Sequence, residues 1–142
     1  MTFMVMYTVY GEPIGKGRPR FARRGAFTHA YTPEKTKTYE DEIRYMARCA
    51  MGASLALETP VTVAIYIRVE IPKSFSKQKR KDALANIIKP MKTPDIDNCA
   101  KCHLDAMNKI VYLDDKQVVN LHVTKVYSEI GAVEVMVKED LV

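Results

Sequence analysis

Two aspartates and a lysine lie close together in residues 93–101 of a chain whose overall charge is positive. Asp95 and Asp97 are two residues apart, so in extended backbone their carboxylates point in the same direction. From Asp97 onward the spacing is helical, and one arc is polar: Asp97, Asn98, Lys101, Asp105, Asn108 and Lys109. The other arc is apolar: Ile96, Cys99, Ala100, Leu104, Ala106, Met107, Ile110 and Val111. One helix can therefore bury its apolar side and present an Asp/Lys/Asp stripe to a cleft.

A second acidic pair, Asp114 and Asp115, follows shortly after this predicted helix. If three carboxylates converged about 5 Å apart, each pair would repel by roughly 3 kcal/mol at an effective dielectric constant of about 20. A divalent cation removes that repulsion, and carboxylate oxygens suit Mg²⁺ or Mn²⁺. The pattern therefore favours a metal-binding centre that cuts phosphodiesters.

Helix capping is the simpler interpretation of the same residues. Thr93, Asp95 or Asp97 can cap the helix, with Pro94 at its first position and negative charge favoured near its N-terminus. Capping does not explain why a lysine and a third aspartate share the face of Asp97, or why a second acidic pair follows.

Length and composition predict one globular domain, residues 1–142. Lys and Arg number 22 against 17 Asp and Glu, and the resulting net charge of +5 is a modest excess. No signal-peptide pattern and no apolar run of 18 residues is present, so we expect a cytoplasmic protein without a membrane partner. Three cysteines are too few for a disulfide framework, which agrees with a reducing compartment.

Residues 11–32 are rich in glycine and arginine. Five cations fall within nine residues: Lys16, Arg18, Arg20, Arg23 and Arg24. Clustered guanidinium groups with aromatic neighbours suit a DNA phosphate backbone. A solvated basic loop is the alternative, and the sequence permits a hairpin around Arg24 and Gly25. Four cations at residues 77–81 form a second, weaker candidate for DNA contact.

The remaining segments predict an α+β domain with a mixed β-sheet and helices packed on one face. Strands are expected at residues 2–10, 61–71 and 117–127 and around 133–137, with a bulge at Lys125 and Val126. Helices are expected at residues 33–51, with Glu40 pointing mostly outward, and at 76–88, with Leu84, Ile87 and Ile88 facing inward.

The string Cys99-Ala-Lys-Cys102-His103 matches the c-type haem attachment pattern. Haem attachment would require export, and no export signal is found. Both cysteines fall on the apolar side of the predicted helix, which favours packing over haem, zinc or redox chemistry. We therefore expect no organic cofactor.

Four stretches together resemble the RusA family of Holliday-junction resolvases (crossover junction endodeoxyribonucleases). They are KGRPR (residues 16–20), PDIDN (94–98), DAMN (105–108) and DDKQV (114–118), with Lys101 between the second and third. The resemblance spans most of the chain. Some members carry a basic residue directly before the first aspartate, where this chain has Pro94.

The resemblance implies roles for individual residues. By motif position it assigns the aspartates that bind catalytic magnesium to Asp95, Asp97 and Asp115, with Asp114 as the uncertain neighbour. It assigns the lysine that assists at the scissile phosphate to Lys101. Asp105, which lies one turn after Lys101, has two possible roles. It either orients that lysine or a metal-bound water, or it forms a simple ion pair with the lysine.

The implied activity is Mg²⁺-dependent cleavage of four-way DNA junctions in recombination and repair, leaving 5′-phosphate and 3′-hydroxyl ends, with Mn²⁺ as a substitute. A homodimer with two active sites is also implied, which suits a junction of twofold symmetry. Two other functions stay open. One is a non-catalytic junction-binding protein whose acids are caps and ion-pair partners, and the other is a metal-dependent nuclease for flaps or single strands.

Overall fold

The computed structural model describes residues 2–16, 20–25, 27–31 and 34–142, with residues 20–24 and 27–31 described by their backbone alone. This part of the chain contains six strands and three helices, and a short 3₁₀ turn at Asp115–Gln117. In chain order they are β1 (Met4–Tyr10), β2 (Arg20–Arg24), β3 (Phe27–Tyr31), α1 (Glu34–Met51), β4 (Val61–Glu70), α2 (Lys77–Leu84), α3 (Ile96–Ala106), β5 (Val118–Ser128) and β6 (Ala132–Glu139). The predicted α+β class is confirmed. The single domain remains a prediction.

Four strands form a mixed sheet in the order β1-β6-β4-β5. Strand β6 pairs antiparallel with β1 and β4, whereas β4 and β5 pair in parallel. A parallel pair needs a long crossover, and α2 and α3 lie in the connection between β4 and β5. The crossover therefore brings α3 and the acidic residues around it to this edge of the sheet.

One face of the sheet forms the core. The odd-numbered positions of β4 are buried, as its alternating sequence predicts. Apolar residues of α1 and α3 pack on this face, including Tyr39, Ile43 and Cys99. On the opposite face Met6 and Tyr66 are exposed to solvent. None of the described helices is both long and apolar enough to span a membrane.

Strands β2 and β3 form a separate antiparallel hairpin, in which Arg24 pairs with Phe27. Gly25 in its turn has a φ of +62°, a left-handed conformation that glycine adopts without steric cost. The hairpin that the sequence permitted is thus present within the basic segment. The predicted start of α1 at residue 33 lies outside the described residues.

Three local predictions are wrong. Helix α2 ends at Leu84 because Asn86 has a φ of +62° and the N–H groups of Ile87 and Ile88 turn back to the carbonyl of Asp82. Leu84 and Ile87 are consequently exposed, not inward-facing. The irregularity in β5 falls at Val119 instead of Lys125, because Val61 pairs with Val118 and Thr62 with Asn120. Finally, α3 ends at Ala106, so Asn108 and Lys109 follow it.

Candidate active site

Helix α3 carries the first group of predicted site residues. Its buried side consists of Cys99, Ala100, Cys102, His103 and Ala106. Because this side packs into the core, Asp97, Asn98 and Lys101 are exposed on the other side. Ile96 was predicted to be buried, but it lies in the first turn and is 42% exposed.

The segment before α3 is fastened to the sheet. The ammonium of Lys125 donates hydrogen bonds to the carbonyls of Lys92 and Pro94, at 2.7 and 3.0 Å. Asp95 follows at once as the N-cap residue of α3. Lys125 therefore fixes the backbone immediately before Asp95, at the start of the helix.

The carboxylates of Asp95 and Asp97 are both exposed, and Asn98 contacts both residues. Asp95 forms no side-chain capping bond; its Oδ2 accepts from the Asn98 amide at 3.2 Å. Oδ1 of Asp97 accepts from the backbone N–H of Asn98 at 2.9 Å. Neither carboxylate forms an ion pair within the described residues. The capping interpretation therefore does not account for Asp95.

Asp105, Asp114 and Asp115 form a second group, near the C-terminal end of α3. Asp114 caps the 3₁₀ turn: its Oδ1 accepts from the N–H of Lys116 at 2.9 Å, which lowers the pKa of Asp114. Partial burial, a hydrogen bond with Asp114 and the negative charge of Asp105 raise the pKa of Asp115. Asp114 is thus partly committed to a structural bond, whereas Asp115 lies among like charges.

The two groups are separated along the helix. Asp97 and Asp105 are eight residues apart, a rise of about 12 Å. No hydrogen bond or ion pair joins Asp95 or Asp97 to Asp115 among the described residues. In the same part of the chain, no three acidic, histidine or cysteine side chains are grouped so as to hold a metal ion. Of the four predicted ligands, only Asp114 and Asp115, which are adjacent in the chain, interact with each other.

The donor chemistry nonetheless fits a hard divalent cation. Asp95 and Asp97 offer exposed carboxylates at the start of α3, and Asp115 offers a third from the 3₁₀ turn. Oxygen donors of this kind are the usual ligands of Mg²⁺.

Two lysines reach Asp105. Nζ of Lys16 lies 3.0 Å from Oδ2 of Asp105 and 3.1 Å from Oε1 of Glu40. Nζ of Lys101 lies 3.7 Å from the same Asp105 oxygen, and its side chain is 64% exposed. Burial alone would lower the pKa of Lys16, but its ion pairs with Asp105 and Glu40 raise it. Lys101 is therefore free to reach a ligand, whereas Lys16 is held between two acids.

Glu40 is a site neighbour that the sequence interpretation missed. It was expected to point outward, but it is buried, and its Oε2 accepts from Arg44 at 3.0 Å. The signal was present in the spacing: Thr36, Glu40, Ile43 and Ala47 follow the i, i+4, i+7 and i+11 positions of one helix face. A carboxylate at a core position of this kind requires a cationic partner.

The cysteines and the histidine of the haem-like string are packing residues. Burial raises the pKa of the Cys99 and Cys102 thiols to about 12. The ring of His103 is buried between two hydroxyls, with Nδ1 at 2.8 Å from Tyr7 and Nε2 at 3.4 Å from Tyr39. These contacts join α3 to β1 and α1.

The predicted DNA-binding residues divide into three cases. The backbone of Arg20, Arg23 and Arg24 lies in strand β2. Arg18 lies outside the described residues. Lys16 forms the two ion pairs given above.

A groove of about 420 Å³ opens beside the start of α3. Its lining includes Lys35, Thr93, Asp95 and Asn98. The groove thus runs from Lys35, at the start of α1, to Asp95, the first predicted metal ligand.

Comparisons with known proteins show the family of the chain. Residues 10–138 match the family described as endodeoxyribonuclease RusA. The chain belongs to this family, which is a class of nucleases, so the resemblance carried by the motifs is confirmed. It is also 37% identical over 137 residues to the uncharacterized protein YqaN of Bacillus subtilis (strain 168), covering 95% of this chain and 96% of that protein.

Proposed function

We propose that this protein is a divalent-metal-dependent endonuclease that resolves four-way DNA junctions by hydrolysing one phosphodiester on each of two strands. The observation that carries the proposal is membership of the RusA family over residues 10–138. The exposed Asp97 and Lys101 on one face of α3 support it. Roles in recombination and repair, and a cytoplasmic location, belong to the same proposal.

Asp95, Asp97 and Asp115 would hold Mg²⁺, or Mn²⁺ in its place, because ionised carboxylates are preferred ligands of these cations. When bound, the metal supplies an activated water and stabilises charge on the leaving 3′-oxygen. Asn98 keeps the first two carboxylates oriented through its amide and its N–H. Asp114 is the adjacent candidate ligand, with one of its oxygens already accepting from Lys116.

Lys101 would neutralise the negative charge that develops on the phosphoryl oxygens. Its exposed side chain can swing from Asp105 toward a bound phosphate, since the 3.7 Å separation is a loose ion pair. Asp105 would act as the resting partner that keeps the ammonium near the site. Products would carry 5′-phosphate and 3′-hydroxyl ends.

DNA binding would come from the basic hairpin. Arg18, Arg20, Arg23 and Arg24 would contact backbone phosphates, and Lys16 was predicted to join them. The groove beside Asp95 offers a route for a strand to the carboxylates, with Lys35 in its lining. A homodimer would present two such sites to a junction with twofold symmetry.

The proposal is tested by incubating a synthetic four-way junction with the protein, with and without Mg²⁺. Asp97→Asn should lower the cleavage rate by about 100-fold or more, because it removes a charged ligand. Glu58→Gln is the matched control, since it neutralises an exposed carboxylate that lies outside the site. Undiminished nicking by Asp97→Asn would remove the proposed metal role and favour a different function for these acids.

Substrate preference separates a resolvase from other nucleases. Rates should be compared on four-way, flap and linear duplex substrates of the same sequence. A resolvase cleaves the four-way junction fastest and on two strands of like polarity. Equal rates on all three substrates would contradict the resolvase assignment while leaving a metal-dependent nuclease.

A further inference from the structure

Lys16 is fastened to helix α3 by its backbone as well as by its side chain. Its N–H donates to the carbonyl of Asn98 at 2.9 Å. The preceding Gly15 lies so close to α3 that a Cβ added there would be 3.0 Å from the Asn98 Cβ. The residue is therefore part of the packing around the start of α3, although it belongs in sequence to the basic segment.

The ammonium of Lys16 is occupied by two acids. It lies 3.1 Å from Glu40 on α1 and 3.0 Å from Asp105 on α3, and its side chain is 24% exposed. Glu40 is buried and its other oxygen already pairs with Arg44, so loss of Lys16 would leave Oε1 of Glu40 without a cation inside the protein. With two acids beside it, the ammonium keeps at most one of its three N–H donors for a phosphate.

Asp105 connects Lys16 to the proposed site. One oxygen of Asp105, Oδ2, faces both Lys16 and Lys101, and the negative charge of Asp105 also acts on Asp115. Movement of Asp105 would therefore change the charge beside both the proposed catalytic lysine and a proposed metal ligand. Displacements of about 1 Å in such groups are enough to reduce rates strongly.

We propose that Lys16 is a positioning residue and does not contact DNA, although its neighbours in sequence predict such a contact. It links Glu40 to Asp105. Asp105 is thereby held beside Lys101 and Asp115. This inference rests on the proposed function. It separates Lys16 from the four arginines that follow it: those bind the substrate, whereas Lys16 orders the site.

The test compares Lys16→Met and Lys16→Arg with Lys37→Met, which removes a lysine from the exposed face of α1. Binding to a four-way junction is measured without Mg²⁺ across a salt series, and single-turnover cleavage is measured with Mg²⁺ at saturating protein. Lys16→Met should keep its Kd within about twofold and its salt slope unchanged, while the cleavage rate falls about 10- to 100-fold. Lys16→Arg should recover most of the rate, and Lys37→Met should retain it.

A salt slope smaller by about one in Lys16→Met would show a phosphate contact and overturn the proposal. An unchanged single-turnover rate would overturn it as well. If Lys16→Met does not fold, Lys16→Gln is used in its place, because the glutamine amide can still donate to one of the two acids.

A stability measurement separates failure of this inference from failure of the proposed function. The unfolding midpoints of Lys16→Gln, Asp105→Asn and the double variant are measured without DNA. Non-additive effects are expected, and strict additivity would contradict the link between the two residues. If the wild-type protein cleaves no DNA substrate, the proposed function fails. The unfolding midpoints of the two single variants and the double variant still decide whether Lys16 holds Asp105.

Discussion

Acid should weaken the fold through His103, the buried residue that joins α3 to its neighbours. Burial lowers the pKa of His103 from its ordinary value of 6.5 to about 3. In the unfolded chain the ring takes up a proton near pH 6.5, but in the folded protein it stays neutral until about pH 3. The unfolded state therefore binds more protons in this window, and stability is lost as the pH falls through it.

The expected loss follows from the size of the pKa shift. At pH 4.5 the solution is two pH units below the unfolded value, and each unit corresponds to about 1.4 kcal/mol, so this one histidine removes roughly 3 kcal/mol. That is a large part of the 5–15 kcal/mol typical of a folded domain. The hydroxyls of Tyr7 and Tyr39 can serve a neutral ring, which has one donor and one acceptor nitrogen.

The assay is denaturant unfolding at pH 7.0 and pH 4.5 for the wild type, His103→Gln and His122→Gln. Titration of the acidic residues is common to all three proteins, so it cancels when their losses are compared. Wild type should lose roughly 3 kcal/mol more than His103→Gln between the two pH values. His122 is exposed in the folded protein, so His122→Gln should follow the wild type. Equal losses in wild type and His103→Gln would refute the burial argument.

Three further predictions test the site and its surroundings. Asp114→Ala should lower the free energy of unfolding by removing the cap of the 3₁₀ turn, while junction cleavage persists if Asp115 is the ligand; loss of cleavage at full stability would make Asp114 the ligand. Gly131→Ala should lower the melting temperature, because its Cβ would lie 2.8 Å from the carbonyl oxygen of Gly11, and an unchanged melting temperature would contradict that steric conflict. Arg18→Ala with Arg20→Ala should weaken junction binding and flatten its salt slope by about two, whereas an unchanged slope would remove the hairpin from the interface.

Local spacing predicted the elements whose residues repeat at a regular period. The alternation through β4 gave its buried face, and the helical spacing after Asp95 gave the exposed Asp97 and Lys101 of α3. These predictions require only that one side of an element is apolar. Many different topologies can bury such a side in a core, so the prediction does not depend on the topology. The parallel pairing of β4 with β5 could not be predicted in the same way, because it depends on the course of the crossover.

Long-range pairs escaped the sequence interpretation for a related reason. Lys16 was grouped with the arginines beside it, and Glu40 with the charged residues around it, because neighbours in sequence were all that the pattern offered. Lys16 instead pairs with Glu40 and with Asp105, which are 24 and 89 positions further along the chain. A buried acid on the apolar stripe of α1 was the one available clue, since such a residue needs cationic partners, and Arg44 of the same helix reaches only one of its two oxygens.

These contacts also connect DNA binding to chemistry. Lys16 holds the carbonyl of Asn98 with its backbone, and Asn98 in turn donates to Asp95 and Asp97. The strand that carries Arg20 begins only four residues after Lys16. If the hairpin binds phosphate as proposed, that phosphate would be linked through a short length of chain to the residue that orients the first two proposed ligands. For this reason we expect substitutions at Asn98 to impair cleavage more than binding, and Asn98→Ala provides that comparison in the same salt-series and single-turnover assays.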